Sequence, residues 1–166
     1  MKYIQTQLVD ATPAIRIITR NGDEIFLAEM QGTDDLSQYA DIADGYLVTA
    51  PGHDKSIWYA KEDFEQFAMP IIPDEGKPAP EAPSISQKMV DDIIDDVGVA
   101  TLGDKTTVVH ATLLNGFEIV ESSSCVSPEN YDEATGAEIC EHRISDKVWE
   151  LLGFLLQTAV NGVRGV

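Results

Sequence analysis

Thr106-Thr107-Val108-Val109-His110-Ala111-Thr112-Leu113-Leu114-Asn115-Gly116-Phe117-Glu118-Ile119-Val120 decides the fold of this chain. β-Branched and apolar residues flank Asn115-Gly116, a turn dipeptide that tolerates positive φ, so Thr106–Leu114 and Phe117–Val126 read as the two strands of a hairpin. What lies on either side reads as helix. Upstream, Ser84 or Ser86 can cap a helix running to about Val97, because Ile85, Met89, Val90, Ile93, Ile94 and Val97 recur at helical spacing. The opposite face of that helix would carry Asp91, Asp92, Asp95 and Asp96.

Downstream, Ser127-Pro128-Glu129-Asn130 suits a helix start, since the missing proline N–H matters least in the first turn. The long helix predicted after it has one apolar stripe, Ala137, Cys140, Ile144, Val148, Leu151, Leu155 and Ala159, widened by Leu152 and Phe154, with Gly136 as a weak point. A two-stranded hairpin and one short helix cover such a stripe poorly, so a homo-oligomer through the C-terminal helix is expected.

Five prolines, Pro70, Pro73, Pro78, Pro80 and Pro83, precede this module. Proline fixes φ and lacks a donor, so residues 71–85 read as a semi-rigid linker. Residues 1–70 then form a module of their own. Strands are expected over Tyr3–Val9, Ala14–Thr19, Glu24–Ala28, Gly45–Thr49 and Ser56–Tyr59, with turns at Asn21-Gly22 and at Pro51-Gly52-His53-Asp54. Lys61–Ala68 has helix-forming residues with Phe64, Phe67 and Ala68 on one side, and Asp34–Asp44 looks like a loop. The fold class is α+β: a small β-rich N-terminal module, a proline-rich linker, and a helix–hairpin–long-helix module over 86–166.

Charge narrows function more than any motif does. The chain has 11 Lys+Arg against 29 Asp+Glu, a formal net charge of -18 over 166 residues. The acidity is spread, with 5 basic and 12 acidic residues in 1–72, and 6 and 17 in 73–166. Direct binding to nucleic acid is disfavoured, because the phosphate backbone is met with clustered Lys and Arg. An acidic surface favours solubility and basic partners. Neither a signal-peptide core nor an apolar run long enough to span a membrane occurs, so a cytoplasmic location is expected and no membrane partner is expected. Cys125 and Cys140 lack a CxxC spacing and read as two buried thiols.

No Walker loop, dinucleotide-binding glycine pattern, HExxH or GxSxG occurs. Glu138 and His142 are four apart on the long helix, but two ligands at that spacing do not make a metal site, and an exposed charged pair is the plainer reading. The four aspartates read as a solvated face, because one helix face cannot surround a cation. His110 stands on a predicted strand where a base could be placed, yet no nucleophile stands at a telling distance, and structural packing is the plainer reading. Ser122-Ser123-Ser124-Cys125 lacks an activating base. No catalytic residue, metal site or cofactor is therefore predicted. Asn115, Phe117, Tyr131 and Trp149 combine aromatic surface with polar groups and are the candidate ligand-binding residues.

Lys105-Thr106-Thr107-Val108-Val109-His110-Ala111-Thr112-Leu113-Leu114-Asn115-Gly116-Phe117, then Cys125-Val126, Pro128-Glu129-Asn130-Tyr131-Asp132 and Trp149-Glu150-Leu151-Leu152-Gly153-Phe154-Leu155-Leu156, resemble a family of short phage proteins. The family is typified by gene product forty-nine of coliphage N-four and gene sixty-six of Shigella phage S-f-six. The resemblance spans about residues 86–158, slightly under half the chain. It implies a phage or prophage origin and expression inside a bacterial host, so that the cytoplasmic location expected is the host cytoplasm, and it transfers no site. Gly45-Tyr46-Leu47-Val48 and Trp58-Tyr59-Ala60-Lys61-Glu62-Asp63-Phe64 are similar, more loosely, to a small module attached to other phage proteins. The expected function is accordingly non-catalytic: binding in the infected cell, either to block a basic host protein such as a defence nuclease or to sequester a small nucleotide signal. A virion structural or assembly protein is the second reading, and an enzyme of unrecognised type the third.

Overall fold

The computed structural model describes residues 6–30, 36–76, 78 and 81–164. The chain divides into two compact units, Met1–Pro70 and Ile71–Val166. Both combine strands with helix, as α+β requires.

In the first unit an antiparallel sheet has the order β2-β1-β3-β4, with β1 Asp10–Thr19, β2 Glu24–Leu27, β3 Tyr39–Thr49 and β4 Ile57–Ala60. The β1–β2 hairpin closes as expected at Asn21-Gly22, where Gly22 takes φ 89° and its N–H donates to the Thr19 carbonyl at 2.9 Å. Two expectations fail here. Tyr39–Asp44, read as loop, is the first half of β3, because β1 supplies partners for all of it but Ala40, where the register shifts: Ile17 faces Ile42 and Arg16 faces Ala43. Conversely Thr6–Val9 is irregular, since the pairing of β1 with β3 begins only at Asp10 opposite Thr49. Residues 3–5 of that expected strand, and Asp34 and Asp35 of the expected loop, lie outside the described residues.

The helix of this unit, α1, is shorter than predicted, Lys61–Glu65, and packs Phe64 on Tyr46 with ring centroids 4.8 Å apart. Among the described residues of this unit the buried apolar core is small: Ala14, Ile17 and Val48.

In the second unit α2 is Gln87–Asp92, capped by Ser86, whose hydroxyl accepts the Met89 N–H at 3.2 Å. A three-stranded antiparallel sheet of order β5-β6-β7 follows, with β5 Ile94–Leu102, β6 Thr106–Leu113 and β7 Glu118–Ser124. The hairpin is as predicted. The helix through Val97 is not: after one capped turn and a half the chain becomes β5, with a register irregularity between Ile94 and Asp96 and a ladder running to Leu102 opposite Thr106. Asp91 and Asp92 therefore sit on a helix and Asp95 and Asp96 on a strand, so they share no face. Of the expected linker, Asp74 accepts the Lys88 backbone N–H at 3.1 Å, and Lys77, Ala79 and Pro80 lie outside the described residues.

The long helix, α3, spans Glu133–Asn161. Ser127-Pro128-Glu129-Asn130 does not start it. Pro128–Asn130 is an isolated 3-10 turn, and Asp132 caps α3 by accepting the Thr135 N–H at 2.6 Å. The buried residues step by four, Gly136, Cys140, Ile144, Val148 and Leu152, and pack on Thr107, Val109, Ala111, Leu113 and Ile119 of the sheet, with Met89 and Val90 of α2 completing the core. Gly136 is no weak point: a Cβ there would meet Thr107 Oγ1 and lie 2.7 Å from Thr107 Cβ, so glycine is what lets α3 reach the sheet.

Candidate functional site

The anchored part of α3 ends at Leu152. Beyond it the cover thins: Leu156 and Ala159 are half-buried, whereas Phe154 is 75% exposed, Leu155 46% and Val160 51%, and Leu151 at the start is 42% exposed. The stripe predicted as continuous is thus divided. Its first two-thirds lies on the sheet, and Leu151, Leu155 and Phe154 face outward.

This end of α3 is also uncharged. From Leu151 to Val163 no Asp, Glu, Lys or Arg occurs, in a chain where they make up 24% of residues. Exposed Glu141, Asp146 and Glu150 precede it on the same helix. An apolar patch rimmed by charge has the anatomy of a protein contact surface.

Next to it lies an open depression of about 460 Å³, lined by Phe117, Glu118, Ile119, Val120, Lys147, Glu150 and Leu151. Lys147 is paired with Glu121. Phe117 is half-exposed there because the hairpin turn is held from inside: the Asn115 side-chain oxygen accepts the Phe117 N–H at 3.0 Å, and Gly116 takes φ 80°. Of the four candidate ligand-binding residues, Asn115 and Phe117 come together at this turn. Trp149 instead donates its indole N–H to Gln87 Oε1 at 3.4 Å, tying α3 to α2. The Tyr131 hydroxyl meets Thr101 Oγ1 at 2.7 Å and Thr107 Oγ1 at 3.0 Å, at the other end of β6. The four line no common concavity among the described residues.

The remaining polar groups stay dispersed. His110 lies on the sheet face away from α3, its Nε2 3.6 Å from Glu118 Oε1 and facing Val120 across the ladder. Glu138 and His142 are exposed on α3, and no group of three or more potential metal ligands forms among the described residues. The Cys125 Sγ is 3.0 Å from the Ser127 carbonyl oxygen and half-buried. Cys140 is buried, and burial pushes its thiol above the ordinary value, which opposes a nucleophilic thiolate. In the first unit the Tyr46 hydroxyl donates to Glu65 at 2.7 Å, and that bond, with a little burial, raises its pKa. A second open depression of about 310 Å³ lies there, lined in part by Pro13, Met30, Asp44, Gly45, Tyr46 and Lys61.

The extent of α2, β5–β7 and α3 is also close to the extent of a family likeness. Residues 85–160 match the phage protein (N4 Gp49/phage Sf6 gene 66) family. The match starts one residue before the span read from the sequence motifs and ends two after it, just short of the end of α3. It takes in the anchored and the uncovered parts of the helix alike, while the first unit lies outside it. No curated protein and no solved structure matches the chain. Among the described residues no helix is long and apolar enough to cross a membrane.

Sequence reasoning found the apolar residues of α3 and missed where their cover stops. The uncharged run from Leu151 onward was the available signal, since a helix end needing no contact usually alternates with charge.

Proposed function

We propose that this chain is a phage-encoded accessory protein without catalytic activity that acts by binding a host protein in the cytoplasm of the infected cell. The uncovered, uncharged end of α3 supports this reading most strongly. Leu151, Phe154 and Leu155, which share one face of the helix, supply the apolar centre of a contact, where truncation of one large side chain commonly costs about 2 kcal/mol or more of binding. The net charge of -18 steers towards a basic partner at longer range.

A protein target is favoured over a small nucleotide. The depression at Phe117 would present Glu118 and Glu150 to a phosphate, with Lys147 already committed to Glu121. The virion reading differs in copy number. Mass spectrometry of purified particles and of infected-cell lysate is the test: we expect the protein in the lysate and substoichiometric in particles, and high copy number in particles would replace this reading with the structural one.

A further inference from the structure

The two edges of the second unit's sheet are treated very differently. At β7 the edge is guarded: Arg143 Nη1 donates to the Ser122 carbonyl at 2.8 Å, and Lys147 pairs with Glu121. Charges and side-chain caps of this kind keep an edge strand from pairing with another chain. At β5 side-chain contact is confined to one end, where Thr101 Oγ1 donates to the Glu133 carboxylate and meets the Tyr131 hydroxyl, and among the described residues no side chain caps Val97–Ala100. Val97-Gly98-Val99-Ala100-Thr101-Leu102 carries no charge, every one of these residues is exposed, and Val97, Val99 and Leu102 are 42%, 44% and 68% exposed.

The hydrogen-bonding groups of that edge can be assigned. Leu113 N–H donates to the Phe117 carbonyl at 2.8 Å and Cys125 N–H to the Lys105 carbonyl at 3.1 Å, so the odd-numbered residues of β6 bond to β7. In an antiparallel ladder the direction alternates, hence the even-numbered residues of β6 bond to β5, through Asp96, Gly98, Ala100 and Leu102. Val97, Val99 and Thr101 therefore point their N–H and C=O groups out from the sheet.

We infer that β5 pairs edge to edge with β5 of a second copy, antiparallel and centred on Val99. A two-fold axis makes the pairing antiparallel, with Val99 facing its own counterpart and Val97 facing Thr101 of the second copy. Each of these facing pairs exchanges two hydrogen bonds. Charge within the strand fits this register: Asp95 falls opposite Gly103 and Asp96 opposite Leu102 of the second copy, and the Glu133 carboxylate held at Thr101 falls beside the uncharged Val97, so no carboxylate of the strand opposes another. The product is one six-stranded sheet with the guarded β7 edges outermost. Self-association thereby moves from the C-terminal helix, where the sequence placed it, to the strand edge, and the end of α3 stays free for a target.

The test is light scattering coupled to size exclusion on the full chain. The wild type is expected near 36 kDa, twice the 18.1 kDa of one chain. Val99→Lys and Val99→Glu are each expected near 18 kDa alone, because residue 99 meets itself, and an equimolar mixture of the two is expected to return to about 36 kDa. Val99→Pro removes only an outward N–H and leaves the β5–β6 ladder intact, so it too gives a folded monomer by circular dichroism. Phe154→Ser stays dimeric. Because each copy carries -18, the dimer strengthens as salt rises from about 50 mM to about 500 mM. A monomeric wild type, dimeric Val99 variants, or a monomer produced by Phe154→Ser would overturn the pairing, and none of these results bears on whether a host target is bound.

Discussion

Gly136→Ala sets two effects of opposite sign against each other. On helix propensity alone the change stabilises α3 by about 1 kcal/mol, since alanine is the better helix former. Against this stands the contact with β6. The added methyl would meet Thr107 Oγ1 and sit 2.7 Å from Thr107 Cβ, and Thr107 is fully buried and cannot swing away into solvent. Forcing a methyl into a packed core costs about 1–3 kcal/mol. Displacing Thr107 also breaks its 3.0 Å bond with the Tyr131 hydroxyl, about another 1 kcal/mol. The expected net is a loss of about 1–3 kcal/mol, lowering the Tm of this unit by at least about 4 °C. Thermal unfolding followed at 222 nm, which α3 dominates, measures it. Adding Thr107→Ala removes the nearest atom and should recover part of the loss. A Tm unchanged or raised by Gly136→Ala would refute the close approach of α3 to β6.

Three further outcomes follow from the same packing. Ile144→Ala, at a position 2% exposed, should cost about 2–5 kcal/mol in urea unfolding, whereas Phe154→Ser should stay within about 0.5 kcal/mol of wild type. Gly45→Ala should destabilise the first unit, because its methyl would meet the Tyr59 carbonyl and lie 2.7 Å from the Trp58 ring, and a normal melt for that unit would contradict the close approach. The Asp132 carboxyl is held below the ordinary carboxylate range by the Thr135 N–H it accepts, so its contribution is present at neutral pH and lost as pH falls through its lowered folded-state value. Asp132→Asn should therefore be less stable than wild type at pH 7, with the gap closing towards pH 3, and a gap that persists unchanged would count against the charged cap.

The β6–β7 hairpin was legible because its signals are local: Asn115-Gly116 sets the turn, and the flanking β-branched residues need no distant partner to be recognised. β5 was not, because Ile85 to Val97 has a helical period by coincidence and the ladder that claims Ile94–Leu102 comes from β6, further along the chain. Tyr39–Asp44 was misread for a similar reason. Its acidic residues look like loop, but β1 offers backbone partners to every residue of it except Ala40, and Arg16 reaches Asp41 at 3.2 Å. At the candidate site, the residue types of the α3 end were visible and their exposure was not, since nothing local states that the sheet stops short of Phe154. Gly136 and Gly45 carry the same lesson, as each is explained by an atom remote in sequence, Thr107 in one case and Trp58 in the other.

Paired affinity purification from infected cells tests the central claim most directly, with wild-type protein as one bait and a Phe154→Asp, Leu155→Asp variant as the other. Both replaced side chains are exposed, so circular dichroism should show the two baits equally folded. A host protein rich in Lys and Arg, enriched on the wild type and lost from the variant, is the expected result. Equal recovery on both baits, or no host protein on either, would contradict binding through the uncharged end of α3.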